Sequence, residues 1–131
     1  MFVDTSGFFC LYNEDEIHHE KAIDYYDQAR IRITTSYVLA EYVALALIRG
    51  SSRRDAIEFS LNVLDDDEIE IIWVDEILHR RAVELLQQRP DKKYSLCDAV
   101  SFIIMRERGI TEALTTDKHF KQENFIRLLK P

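Results

Sequence analysis

Four acidic residues stand where an acid is out of character. Glu41 is the only charged residue between Tyr37 and Ile48, in the run "YVLAEYVALALI". Asp98 sits in "LCDAVSFII", where Phe102 and Met105 share its helical face. Asp4 follows Phe2 and Val3, and Asp117 closes the stretch "ITEALTTD". An unpaired carboxylate in apolar surroundings is costly. Each acid also has a plain structural explanation. Glu41 can reach the surface or pair with an arginine. Asp98 suits the first turn of a helix, and Asp4 and Asp117 suit turns or caps. Gathered in one place without cations, the four would repel strongly. A hard divalent cation, Mg²⁺ or Mn²⁺, binds carboxylate oxygen and needs neither His nor Cys. The chemistry such a cluster supports is activation of water beside a clamped phosphate.

The other candidates are weaker. His18, His19 and His79 read as surface residues, and His119, two residues after Asp117, is a lesser candidate for a phosphate contact. Lys92, Lys93, Lys118 and Lys121 could form a local strip for RNA or simply be solvated. "DDDE" at 65–68 reads as a solvated loop, and Tyr12, Tyr25, Tyr26 and Tyr37 as packing residues. Cys10 and Cys97 lie far apart among apolar neighbours, which predicts two buried free thiols. No Cys or His spacing suits zinc.

The elements that must position these acids can be read in order. "MFVDT" reads as a buried strand and 15–29 as a helix. "IRITTS" reads as a strand, followed by a helix over 37–49 with Ser36 as N-cap and Gly50 at C′. Helices follow at 53–64, at 76–88 behind Asp75, and at 96–108 behind Ser95 and before Gly109. "EIEIIWV" is the clearest strand, "ITEALTTD" a weaker one, and the tail reads as a short helix and an edge strand at 125–128. Strands alternating with helices predict an α/β fold. It is a three-layer α/β/α sandwich around a mainly parallel four- to five-stranded sheet. In such sheets, sites gather beyond the carboxyl ends of the strands, where Asp4 and Asp117 fall. The helix carrying Glu41 is apolar on every side, so it should be buried between layers with Glu41 inward or at a cleft rim.

With 131 residues, 47% hydrophobic and 31% charged, the chain reads as a single domain over 1–131. It shows no signal peptide and no membrane-length apolar run, which predicts a cytoplasmic protein without membrane contact. Net charge is −7, unevenly spread. Residues 1–90 hold 9 Lys/Arg against 18 Asp/Glu, while residues 91–131 hold 8 against 6. The overall field therefore repels nucleic acid, and any such contact must be local.

The motifs "FVDTSGF", "TTSYVLAEYVAL", "YSLCDAVSF" and "LTTDKHF", in this order, resemble the PIN-domain ribonucleases. The resemblance spans essentially the whole chain and is nearest to the VapC-type toxins of toxin–antitoxin pairs. It implies that Asp4, Glu41, Asp98 and Asp117 surround one or two Mg²⁺ or Mn²⁺ ions and support hydrolysis of an RNA phosphodiester, leaving 5′-phosphate and 3′-hydroxyl ends. Asp4 and Asp98 would be direct ligands, with Glu41 and Asp117 acting directly or through water. Thr5 and Ser6 match the small hydroxyl residues after the first acid. Thr116 stands where the family often has Asn. The implied partners are an RNA substrate, a cognate antitoxin and a second copy of the chain. Two other readings stay open: a non-catalytic protein-binding module of this fold, and a phosphotransfer domain using Asp4. The latter is disfavoured by Ser6, where the phosphatase motif wants a second Asp.

Overall fold

The computed structural model describes all residues, 1–131. Its elements are β1 (Phe2–Val3), α1 (Thr5–Tyr12), α2 (His19–Gln28), β2 (Ile33–Thr35), α3 (Ser36–Ile48), α4 (Arg53–Leu64), β3 (Glu70–Ile72), α5 (Glu76–Gln88), α6 (Leu96–Glu107), β4 (Glu112–Leu114), α7 (Lys118–Gln122) and β5 (Ile126–Arg127). The five strands form one sheet in the order β3-β2-β1-β4-β5, and every pairing is parallel. Seven helices flank it, which is the α/β architecture expected.

Parallel strands buried on both faces should be apolar throughout. Phe2, Val3, Ile33, Ala113 and Leu114 are all buried. From β1 the chain steps outward to β2 and then β3, and later to β4 and β5 on the other side. Beyond the carboxyl ends of β1 and β4 the direction of travel reverses. A crevice opens at such a reversal in an open α/β sheet.

Several elements depart from the sequence expectations, each for a local reason. α1 is an addition, since "TSGFFCLY" has no helical periodicity. It forms because Phe8, Phe9 and Cys10 are all buried. α2 starts at His19 and leaves Ile17 91% exposed in a turn. The N-cap of α3 is Thr35, not Ser36. Thr35 Oγ1 accepts from Val38 N, while Ser36 Oγ accepts from Val74 N and so ties α3 to the segment after β3. α3 is not buried all round either, because Leu47 and Ile48 are exposed near its end. "EIEIIWV" yields strand only over 70–72, and Trp73 is exposed.

Other expectations agree with the structure. Gly50 and Gly109 take φ values of +92° and +64° and close α3 and α6. Ser51 N bonds back to Ala46 O, and Ile110 N to Met105 O, as in Schellman motifs. Asp75 and Ser95 cap α5 and α6, and both cysteines are buried and free.

Two contacts hold the crevice walls. Gly7 brings α1 flat against the end of β4, where a Cβ on residue 7 would lie 2.1 Å from Leu114 O. That neighbour is backbone and cannot rotate away. Gly7→Ala should therefore lower stability by about 1–3 kcal/mol or more, seen as a lower urea midpoint. On the other wall, Glu123 is buried and accepts from Arg106 at 2.8 Å, Tyr94 at 2.9 Å and Arg89 at 3.1 Å. Burial pushes its carboxyl up, but the bonds from Arg106, Arg89 and Tyr94 outweigh this and hold it below the usual range. This network clamps α7, and with it Asp117 and His119, onto α6.

Candidate functional site

The four acids arrive from four different segments. Asp4 is the N-cap residue of α1, yet its side chain makes no capping bond. It turns instead toward β4, where Thr115 Oγ1 donates to Asp4 Oδ2 at 2.9 Å. Ser6 Oγ lies 3.4 Å from the same oxygen and 3.0 Å from Thr115 Oγ1. Thr116 N donates to Ser6 Oγ, and Asp117 N to Thr115 Oγ1. These bonds lock the end of β4 to the start of α1.

Asp98 is the N3 residue of α6 and completes a capping box with Ser95. Its Oδ2 accepts from Ser95 N at 3.0 Å and lies 3.1 Å from His119 Nδ1. Asp117 caps α7 through Oδ1, which accepts from His119 N and lies 3.3 Å from His119 Nδ1. Asp98, Asp117 and His119 each offer a ligand atom within 4.8 Å of the others. For Asp98 and Asp117 the structural and chemical readings therefore hold together: each caps a helix and still faces the cluster.

Glu41 sits half-buried on α3, at the rim rather than between layers. Asp4, Thr5, Ser6, Glu41, Thr116 and Asp117 share a cavity of about 340 Å³ with Cys10, Glu16 and Arg49. The charges act on one another across it. Burial and then the Asp98 charge raise the Asp4 carboxyl to about 7, against the opposing Thr115 bond and Thr5 amide. Burial also raises Asp98 and Glu41, with repulsion from Asp117 adding to both. Cys97 lies against Glu41, and burial pushes its thiol far up, so it is a neutral neighbour.

Two residues were undervalued by the sequence reading. Thr115, not Thr116, carries the hydroxyl bonded to Asp4; Thr116 lines the cavity and contributes its amide to Ser6. The doubled threonine offered no pattern to separate them. His119 touches two of the acids, whereas spacing alone made it a lesser candidate.

A family model, described as the PIN domain, matches residues 1–125. The chain belongs to the PIN domain family. The "23S rRNA-specific endonuclease VapC20" of Mycobacterium tuberculosis, strains CDC 1551 / Oshkosh and ATCC 25618 / H37Rv, is 28% identical over 129 residues, covering 98% of this chain and 97% of that protein. A crystal structure of M. tuberculosis VapC20, described as a sarcin-ricin loop cleaving toxin, has a TM-score of 0.87 at 28% identity. It covers 99% of this chain and 98% of its own.

The donor set of this PIN domain suits a hard cation. It is mainly carboxylate and hydroxyl oxygen, with one imidazole, His119, and a thiol that stays protonated. Thr5 Oγ1 is buried and makes no hydrogen bond of normal geometry, though its position favours the charged form of Glu41. A buried hydroxyl between acids has a lone pair to offer a cation and a proton to donate to a water beside it. Thr115→Val should weaken divalent-ion binding by about 10–100-fold, because it removes the bond orienting Asp4. It should also cost about 1–3 kcal/mol, since the Asp117 amide loses its acceptor. Calorimetric titration with Mn²⁺ and urea unfolding read the two effects separately.

Proposed function

We propose that the protein is a divalent-metal-dependent endoribonuclease, the toxin member of a toxin–antitoxin pair, hydrolysing RNA phosphodiester bonds. The observation that carries this reading is the gathering of four acids: Asp4, Glu41 and Asp117 line one cavity, Asp98 offers a ligand atom within 4.8 Å of one on Asp117, and Asp4, Glu41 and Asp98 each have their charge disfavoured until something shares it. Four acids from separate segments would not be held together this way merely to cap helices.

In this reading Asp4 and Asp98 hold a Mg²⁺ or Mn²⁺ ion, and Glu41 and Asp117 complete its surroundings directly or through water. Such an ion supplies Lewis acidity, favouring ionisation of water and offsetting charge on the phosphate. The residues of this chain do the positioning. Thr115 and Ser6 fix the Asp4 carboxylate, Ser95 fixes Asp98, and the capped start of α7 fixes Asp117. His119, between the last two, is placed to hold or move a proton at Nδ1 when a phosphate enters. The cleavage would leave 5′-phosphate and 3′-hydroxyl ends, as the family resemblance implies.

The name of the M. tuberculosis relative makes large-subunit ribosomal RNA the first substrate to test. A cognate antitoxin and a homodimeric state belong to the same reading. So does a cytoplasmic location, with which the lack of any helix long and apolar enough to cross a membrane agrees. The test is incubation of purified protein with ribosomal RNA and short single-stranded RNA, with Mg²⁺, Mn²⁺ or chelator. Cleavage that requires the divalent ion is expected. RNA left whole under every divalent condition would overturn the reading.

A further inference from the structure

The acidic cavity has one cationic side chain in its lining, Arg49. Its placement follows from the helix that carries Glu41. Glu41 and Leu45 fall at i and i+4 on one face of α3, Arg49, its C-cap residue, continues that row at i+8, and all three line the cavity. Eight residues span about 12 Å of helix axis. The guanidinium therefore stands beside the acid cluster rather than inside it. It rests over the Phe9 ring, 4.7 Å from the centroid, so its orientation is set. Its only carboxylate partner is Glu16, at 3.8 Å, with both side chains partly exposed. An ion pair this long and this wet stabilises the fold little.

Resting on the nuclease reading above, we infer that Arg49 is the docking point for a backbone phosphate of the RNA, next to the one that is cleaved, and that Glu16 occupies it until RNA arrives. The electrostatics require such a point. A chain of net charge −7 with an acid cluster at its cavity repels a polyanion. A divalent ion offsets the charge at the cleaved phosphate only. The flanking phosphate needs its own cation at the mouth, and guanidinium offers two N–H groups in the geometry that phosphate accepts. Glu16 presents one carboxylate oxygen to Arg49, at 3.8 Å, and leaves it cheaply, because the pair is loose.

The test is steady-state cleavage of a short single-stranded RNA with Mn²⁺, over a series of salt concentrations, for the parent, Arg49→Gln, Arg49→Lys and Glu16→Gln. Arg49→Gln should raise KM roughly three- to tenfold with kcat nearly unchanged. It should also make the slope of log KM against log salt shallower by about 0.7, the share of one phosphate on a single strand. Arg49→Lys keeps the charge and should keep that slope, and Glu16→Gln should lower KM. Thermal unfolding of each variant shows whether it is folded, and Arg49→Lys and Glu16→Gln carry the test if Arg49→Gln is not. An active parent whose KM and salt slope ignore all three substitutions would overturn the docking role and leave the nuclease reading standing. A fall in kcat alone would also overturn it, by moving Arg49 into the chemistry. A parent that cleaves no RNA overturns both.

Discussion

Asp98→Asn should lower divalent-dependent RNA cleavage by at least about 10²-fold, the scale seen when one preorganised charge-stabilising group is removed from an active site. The substitution is chosen because it separates two roles that the geometry combines. Asp98 Oδ2 accepts from Ser95 N, and an asparagine carbonyl can accept the same bond. The capping box is largely preserved, so α6 should start where it does now. What disappears is the negative charge beside Asp117 and His119. If Asp98 were only a cap, cleavage would be untouched. Stability makes the distinction sharper. Burial and the Asp117 charge already disfavour the ionised Asp98, so removing its charge should stabilise the metal-free protein at pH 8. A variant that is more stable and less active marks a residue kept for chemistry at a cost in stability. Asp75→Asn is the control. Asp75 caps α5 away from the cavity, and its amide should leave cleavage within about twofold, since Asn caps as well as Asp. RNA cleavage rates and urea midpoints of both variants decide the matter. An Asp98→Asn protein as active as the parent would exclude Asp98 from the metal site.

The acids were legible in the sequence because each breaks a local pattern. Glu41 interrupts an apolar run, and Asp4 and Asp117 follow strands whose ends line the crevice of a parallel sheet. The long helices were legible for a related reason: Asp75 and Ser95 announce two of their starts, and Gly50 and Gly109 two of their ends. What was not legible depends on partners remote in the chain. α1 has no periodicity because both its sides are covered, Gly7 lying against Leu114 and Phe8 against Phe59. Thr35 displaced Ser36 as the cap because Ser36 is engaged by Val74, 38 residues away. Thr115 reaches Asp4 across 111 residues, and no local rule distinguishes it from Thr116. His119 was only a lesser candidate for a phosphate contact by its spacing from Asp117, and it is α6 that brings Asp98 against it. Glu123 carried no signal in the sequence, and only the fold gathers Arg89, Arg106 and Tyr94 around it. Spacing thus identified where charge was misplaced, while the groups that tolerate that charge came from tertiary contacts.

The stability of the metal-free protein should fall as pH rises from about 4 to about 7, and a divalent ion should remove most of that fall. The sign follows from Asp4. Its carboxyl is raised from 3.8 to about 7 in the folded chain, chiefly by burial and then by the Asp98 charge. Between those values the folded state holds a proton that the unfolded state has released. Stability therefore decreases with rising pH across that window and levels off above it. A shift of this size corresponds to about 4 kcal/mol at most, at about 1.4 kcal/mol per pH unit. Asp98 and Glu41 are raised as well and act in the same direction. Glu123 acts oppositely: its carboxyl is held below the usual range, so its contribution is lost as pH falls below about 4. Metal-free stability should then peak near pH 4, well on the acid side of neutrality. A cation binding the ionised carboxylates competes with those protons. Excess Mn²⁺ should raise Tm strongly at pH 8 and little at pH 5, where the carboxyls are still protonated. Asp4→Asn removes the principal titrating group, so its chelator-treated stability should fall much less between pH 5 and 8 than the parent's, the remainder coming from Asp98 and Glu41. Tm measured from pH 4 to 8 with chelator and with Mn²⁺ gives all of these curves. If the metal-free parent were as stable at pH 8 as at pH 5, and Mn²⁺ moved neither Tm, the acids would not be competing for charge, and a shared ion would have nothing to relieve.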